Sequence, residues 1–153
     1  MQWFSVEMKV RFQVQTKIRK PLNEVFDAVR NPVKMSQYFT TGGASGPLEE
    51  GMTVNWNFLE PKVGFPVHVL KVVENKTIVL EWEAMDVDYK TQVEFTFESL
   101  GPSSTLVKIS EGEWKDDQKG IDSSYGDCEG WVQMLCCLKA YLEYGINLRE
   151  GYY

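Results

Sequence analysis

The strongest constraint on the fold is a repeated alternation of apolar and polar residues. From Met8 to Ile18 the even positions are mostly apolar, and lysine, arginine and glutamine fill the odd positions. The same period of two recurs at 52–58, 78–82, 93–97 and 105–109, and residues 63–73 form another β-rich run. This period places the apolar side chains of each strand on one face. The sequence therefore predicts an antiparallel sheet with one buried and one solvated face.

Two short helices are predicted after the first strand. Pro21 suits the first turn of a helix, where its missing N–H is not needed. Apolar residues follow it at helical spacing, at Leu22, Val25, Phe26 and Val29. Asn31-Pro32 ends this helix, and residues 32–39 predict a second short one. Residues 40–51 are loop-like, with a possible short strand inside them.

The C-terminal stretch "GWVQMLCCLKAYLEYG", from Gly130 to Gly145, predicts one long helix. Its apolar stripe comprises Trp131, Leu135, Leu138 and Leu142. Residues 115–127 are predicted to form a polar loop, with Ser123, Ser124 or Asp127 as the helix cap. Gly145 is well placed as the C-terminal stop. The order of elements gives an α+β fold, in which a curved antiparallel sheet of six to seven strands wraps around the long C-terminal helix.

Composition excludes several classes of partner. The 153 residues fit a single domain spanning 1–153. The net charge of −6 argues against nucleic acid and against an anionic membrane surface. No apolar run approaches the roughly 20 residues of a membrane span. The start has no signal-peptide pattern, so a cytoplasmic location is predicted. Cys128, Cys136 and Cys137 are interpreted as reduced packing residues, because they share one helical segment.

The sequence offers few groups for metal or catalytic chemistry. His68 is the single histidine, which removes sites with several histidines, and it falls in a predicted strand. An acidic set comprises Asp116, Asp117, Asp122, Asp127 and Glu129. That set lacks the spacing of a calcium loop and is interpreted as solvated charge near a helix start. There is no glycine-rich phosphate loop, nucleophile elbow or CxxC pair. No metal, cofactor or catalytic residue is therefore assigned.

An ordered series of motifs resembles one known family over essentially the whole chain. The motifs are "VFDAVRNP" at 25–32, "GPLEEG" at 46–51, "WNF" at 56–58, "LEW" at 80–82, "VEFTF" at 93–97, "TLVKISEG" at 105–112 and the C-terminal helix. They resemble the activator of heat shock protein 90 ATPase family. That family belongs to the START-like helix-grip superfamily, with the polyketide cyclases and the birch-pollen allergen.

The resemblance implies a cavity between the sheet and the C-terminal helix. The residues predicted to line it are Tyr38, Trp56, Phe58, Trp82, Phe95, Glu111, Trp131, Met134 and Tyr141. The alternative for the aromatic residues is that they pack a solid core, and Trp131 and Leu135 fit that role best. Met134 and Tyr141, on the flank of the stripe, suit an adaptable pocket wall.

Glu111 carries two alternative interpretations. It continues the inward parity of Val107 and Ile109, so its carboxyl group would face an apolar space. A bulge at Gly112 would instead turn it outward, and we favour this second interpretation.

The function that follows is binding of a small apolar or amphipathic ligand, without catalysis. One alternative is a protein-interaction module related to chaperone activation. A second is a cyclase- or hydrolase-like enzyme that uses Glu111. These hypotheses differ in what the structure must supply, namely an enclosed cavity, an exposed apolar patch, or convergent polar groups.

Overall fold

A computed structural model describes Trp3 and residues 7–151 of the chain and confirms the α+β fold. The strands are β1 (Val10–Ile18), β2 (Gly43–Ala44), β3 (Thr53–Leu59), β4 (Lys62–Val73), β5 (Thr77–Glu83), β6 (Lys90–Gly101) and β7 (Ser104–Trp114). The helices are α1 (Leu22–Arg30), α2 (Pro32–Met35) and α3 (Gln118–Tyr144). All strand pairs are antiparallel, in the order β1-β7-β6-β5-β4-β3-β2. This is the predicted helix-grip arrangement, with two short helices after the first strand.

The alternation in sequence becomes a sheet with one buried face. In β3, Val54, Trp56 and Phe58 are buried, while the residues between them are exposed. In β7 the buried positions run from Thr105 through Val107 and Ile109. The buried face is covered by α1, α2 and α3, and the other face is left to water, which explains its lysine, glutamate and glutamine residues.

The pairing of β1 with β7 contains the bulge that the sequence suggests, but its effect differs from the prediction. Phe12 pairs with Glu111 and Val10 pairs with Trp114, so Arg11 lies opposite two residues, Gly112 and Glu113. The prediction that this bulge turns Glu111 outward is wrong, because the extra residue comes after Glu111. Glu111 stays inward at 2% exposure, and the bulge brings Trp114 inward as well.

Helix α3 begins at Gln118, six to ten residues earlier than the predicted caps imply. Its N-cap is Asp117, whose Oδ1 accepts a hydrogen bond of 2.8 Å from the Gly120 N–H. The interpretation of 115–127 as a polar loop is therefore wrong from Gln118 onward, as is the cap at Ser123, Ser124 or Asp127. Polar side chains of this stretch can be helical because they form hydrogen bonds to groups outside the helix. Ser123 accepts from Trp114 Nε1 at 2.9 Å and donates to the Met85 carbonyl at 2.5 Å.

The other end of α3 agrees with the prediction. Gly145 follows the helix with φ of 66°, the left-handed conformation that glycine adopts without strain. The helix has 27 residues and is about 40 Å long at 1.5 Å per residue. No helix in the described part of the chain is long and apolar enough to cross a membrane.

Helix α3 does not lie centrally on the sheet. It approaches β1 most closely and β7 next. Leu135 and Leu138 are buried in the core that this contact forms. One end of the core is closed by Tyr38, which donates to the Ala28 carbonyl at 2.9 Å and stacks on Tyr141. The off-centre position of α3 leaves room between the helix and strands β3 to β5.

Candidate functional site

A pocket of about 440 Å³ occupies the space between α3 and strands β3, β4 and β5. The sheet side comprises Phe58, Val63, Phe65, Trp82 and Glu83, with Glu60, Pro61 and Met85 from the adjoining turns. The remaining lining residues are Phe39, Gly126, Asp127, Glu129, Gly130, Trp131, Gln133 and Arg149. A volume of this size falls within the roughly 300–1,000 Å³ of small-molecule sites.

Five aromatic side chains that line the pocket contact one another in a closed circuit, which we call the aromatic wall: Phe39, Phe58, Phe65, Trp82 and Trp131. The successive ring centroids, from Phe39 round to Phe39 again, lie 5.1, 6.0, 5.9, 5.5 and 5.8 Å apart. Trp56 lies beneath this circuit, fully buried, with its ring centroid 5.5 Å from that of Phe39 and 6.0 Å from that of Trp82. Three contacts of the circuit are edge-to-face, the Phe39–Trp131 pair is stacked and the Trp82–Trp131 pair is tilted, and contacts at these distances hold the rings in fixed orientations.

Glu111 lies behind the aromatic wall and holds its two indole side chains in place by hydrogen bonds. Its Oε1 accepts a hydrogen bond of 2.6 Å from Trp131 Nε1. Its Oε2 accepts from Trp82 Nε1 at 3.2 Å and from Thr91 Oγ1 at 2.7 Å. The two oxygens thus serve as acceptors for three side-chain donors. The carboxylate thus ties strand β5 and helix α3 to strand β7.

Asp127 is the second buried carboxyl group at this site, and it lines the pocket at 7% exposure. Burial, followed by the contact with Glu111 and the nearby charge of Asp86, raises the pKa of Asp127 from 3.8 to about 9. No N–H or O–H group of the described residues points at its buried Oδ2 atom, which fits a neutral carboxylic acid. The neutral form can donate its own proton to Glu111, whereas two adjacent carboxylates would repel each other.

The helix side of the pocket is open because two glycines lie there four residues apart. A Cβ atom added at Gly130 would meet no other atom within 4 Å, and one at Gly126 would meet only the Met85 sulfur, at 3.9 Å. Residues spaced by four lie on the same face of a helix. The pocket therefore exists partly because this face of α3 lacks two side chains.

The mouth of the pocket carries charged residues of both signs. Glu60, Glu83 and Glu129 line it and are exposed to solvent; we call them the rim carboxylates. Arg149, from the segment after α3, lies with its guanidinium carbon 5.5 Å from the Phe39 ring centroid and 5.6 Å from that of Phe58. These distances are within cation–π range. In the described part of the chain, no group of three or more His, Cys, Asp or Glu side chains is arranged to hold a metal ion.

The predicted site residues fall into three groups in the structure. Phe58, Trp82 and Trp131 line the pocket. Trp56, Phe95 and Glu111 form the layer behind it, where Phe95 packs edge-on against Trp131 at 5.4 Å. Tyr38, Met134 and Tyr141 lie away from the pocket: Met134 is fully enclosed in the core, and the two tyrosines stack on each other.

Sequence reasoning missed several residues of the pocket. Phe39 and Phe65 are aromatic but were not selected, and the inward parity of the 63–73 run could have identified Phe65. Gly126 and Gly130 share a helix face, a signal that is obscured when residues 115–127 are interpreted as a loop. Arg149 lies beyond the last predicted helix, and no local pattern points to it.

These features define a helix-grip protein with an aromatic pocket between its sheet and its C-terminal helix. The family model described as "Activator of Hsp90 ATPase homolog 1-like protein" matches residues 19–143, and the chain belongs to this family. Comparison with curated proteins finds no match.

Solved structures share the fold. The protein SSP2350 from Staphylococcus saprophyticus is 28% identical, with a TM-score of 0.74 over 90% of this chain and 96% of that one. The Aha1 dimer from Colwellia psychrerythraea is 21% identical, with a TM-score of 0.75 over 89% and 98%. DynU16, described as a putative protein in the dynemicin biosynthetic locus, is 22% identical, with a TM-score of 0.76 over 88% of this chain and 48% of that one.

Proposed function

We propose that this protein binds a small apolar or amphipathic molecule in the pocket between α3 and the sheet. The observation that carries the proposal is the aromatic wall, which lines a space of about 440 Å³. A core designed only for stability fills such a space, because voids forfeit packing energy. Here two helical glycines keep it open, and α3 would itself gain stability from a larger residue at either position.

The proposal assigns no catalysis to Glu111. Its two oxygens already accept from three side chains, and it lies behind the aromatic wall at 2% exposure. A catalytic base needs hydrogen-bond access to the reacting atom. Glu111 therefore acts as a positioning residue for Trp82 and Trp131.

We place the protein in the cytoplasm, since its three free thiols, Cys136 exposed among them, suit a reducing compartment.

The test is to fill the pocket from the helix side. Gly130→Phe would place a phenyl ring in the open space, while Val132→Phe would add the same ring to an exposed site on α3. Neutral apolar probes such as N-phenyl-1-naphthylamine and octan-1-ol should raise the melting temperature of the parent protein and of V132F, by linkage. They should leave G130F unchanged. Equal shifts in both variants would show that the probes bind elsewhere.

A second candidate function is interaction with an Hsp90-type chaperone, and the observation that favours it is the family to which the chain belongs. It is tested by measuring the ATPase rate of a purified Hsp90 with and without this protein. A rate that rises with the parent protein and with G130F alike would assign the activity to a surface rather than to the pocket. No change in rate would leave ligand binding as the function to pursue.

A further inference from the structure

We propose that the pocket selects amphipathic molecules with a cationic head, such as an alkylammonium group, over neutral or anionic ones. This inference rests on the proposed function, since it names the chemical class of the ligand. It is carried by the aromatic wall, by the position of Arg149 and by the rim carboxylates.

The aromatic wall supplies the surface that an organic cation prefers. The face of an aromatic ring carries negative electrostatic potential, and a cation within about 6 Å of the centroid is attracted to it. The circuit has five rings, two of them indoles, and Trp is the strongest partner of this kind. Neighbouring centroids are 5.1 to 6.0 Å apart, so a head group that rests against the wall lies near more than one ring.

Glu111 strengthens this surface without touching the ligand. The N–H groups of Trp82 and Trp131 both donate to its carboxylate, at 3.2 and 2.6 Å. A hydrogen bond to a carboxyl oxygen polarises the indole N–H and shifts electron density toward its ring. Both indole faces thereby become more attractive to a positive charge.

Arg149 shows that the wall accepts a cation in this protein. Its guanidinium lies over Phe39 and Phe58 at 5.5 and 5.6 Å. That contact occupies the Phe39 and Phe58 side of the aromatic wall. The rings of Phe65, Trp82 and Trp131 stay available to a ligand. A second cation can bind beside Arg149 only if negative charge offsets their repulsion.

The rim carboxylates supply that charge. Glu60, Glu83 and Glu129 line the mouth, whereas among the described lining residues Arg149 is the single cationic side chain. The whole chain adds a net charge of −6. A ligand carboxylate would meet three like charges at the entrance, and a ligand ammonium would meet three opposite ones. Complementary charge of this kind also raises the rate of association.

The experiment compares three probes with the same eight-carbon chain: octyltrimethylammonium, octan-1-ol and octanoate. Dissociation constants are measured by isothermal titration calorimetry at low salt, below the micelle concentration. We expect octyltrimethylammonium to bind at least about tenfold more tightly than octanoate, since several ring contacts and the rim charges act together. Octanoate binding as tightly as the ammonium, or more tightly, overturns the inference.

A conservative variant separates cation–π attraction from apolar burial. Phe65→Leu keeps an apolar side chain in the wall but removes one ring face. It should weaken octyltrimethylammonium binding about threefold or more and leave octan-1-ol binding within about twofold. The matched control is Phe12→Leu, because Phe12 is half-buried, stacks on Trp114 and is not among the residues that line the pocket. Equal losses for both probes in F65L would contradict the role of the ring face.

The outcomes also distinguish this inference from the proposed function. If all three probes bind the parent protein equally and none binds G130F, the pocket is a ligand site without charge selectivity, and only the inference fails. If no probe binds the parent protein with measurable affinity, the proposed function fails with it.

Discussion

Trp131 on helix α3 donates a hydrogen bond of 2.6 Å from Nε1 to Oε1 of Glu111 on strand β7. This bond joins the C-terminal helix α3 to strand β7, which pairs with β1, across a buried interface. Both residues are at 2% exposure, so water cannot replace either partner. The bond holds Trp131 on the pocket side of the helix, and it therefore links the stability of the core to the shape of the site.

Replacement of Glu111 by glutamine should destabilise the protein. The amide offers one acceptor oxygen and turns its NH₂ group toward a donor, so at least one of the three donors loses its partner. The expected loss is about 2–4 kcal/mol, because buried hydrogen bonds to charged groups are among the strongest. Urea denaturation followed by tryptophan fluorescence measures it. The control is Glu94→Gln on the exposed face of β6, which should change stability by less than about 0.5 kcal/mol. A loss no larger in E111Q than in E94Q would contradict the role of the carboxylate.

Asp127→Asn should alter the pH dependence of stability. The folded pKa of Asp127, about 9, is raised above its ordinary value of 3.8. Between these values the folded state holds a proton that the unfolded state has released, so stability falls as pH rises through this window. The contribution is fully present below pH 3.8 and is lost by about pH 9. The amide that replaces the carboxyl group is neutral throughout and keeps an N–H donor for Glu111.

The advantage of D127N over the parent protein should therefore grow from pH 4 to pH 9, by up to about 1.4 kcal/mol per pH unit. Parallel urea melts at pH 5, 6, 7 and 8 measure this difference directly. A difference that stays constant with pH would show that Asp127 titrates alike in the folded and unfolded states.

Leu138→Ala should test the contact between α3 and the sheet. Leu138 is fully buried in the main core. Its truncation should cost about 2–5 kcal/mol, as transfer and cavity terms add. Val132, 44% exposed on the same helix, provides the control, and V132A should cost less than about 1 kcal/mol. A loss below about 0.5 kcal/mol for L138A would show that α3 is not held by this stripe.

Replacement by alanine should lower the stability of the protein at Gly120 of α3 and raise it at Gly130 of the same helix. A Cβ at Gly120 would lie 2.1 Å from the carbonyl oxygen of Lys115, which directly follows β7, so Gly120→Ala forces the first turn of α3 away from that residue and should lower stability. Gly130→Ala enters open space and should stabilise the helix by about 0.5–1 kcal/mol. Thermal unfolding by circular dichroism compares them. A lower melting temperature for G130A than for G120A would contradict the packing at both positions.

Much of the fold could be predicted from local patterns. The inward set of β3, the apolar stripe of α1 and the stop at Gly145 each depend on residues close together in sequence. The start of α3 could not be predicted in this way. Ser123 is helical because it bonds to Trp114 and Met85, which lie outside the helix, and its intrinsic preference for caps and loops is overridden.

The candidate site was predicted only in part, for a similar reason. Inward parity places Phe58 and Trp82 on the core side of the sheet and gives Glu111 an inward position only as one of two alternatives. It does not say which of these residues faces an open space. That depends on where α3 crosses the sheet. Because the helix lies closest to β1, Met134 is enclosed in the core, while Trp131 and the bare face at Gly130 border the pocket.

The sequence by itself determined the strands, the long helix and the side of the sheet that is buried. Side chains repeat every two residues in a strand and every 3.6 residues in a helix, so these features depend only on residues close together in the chain. Only the tertiary structure decided that Glu111 faces inward, that five rings close a circuit and that Arg149 returns over two of them. The physical reason is that a bulge, an off-centre helix and a returning C-terminal segment bring together residues from distant parts of the chain. No periodic pattern in the local sequence predicts these long-range contacts.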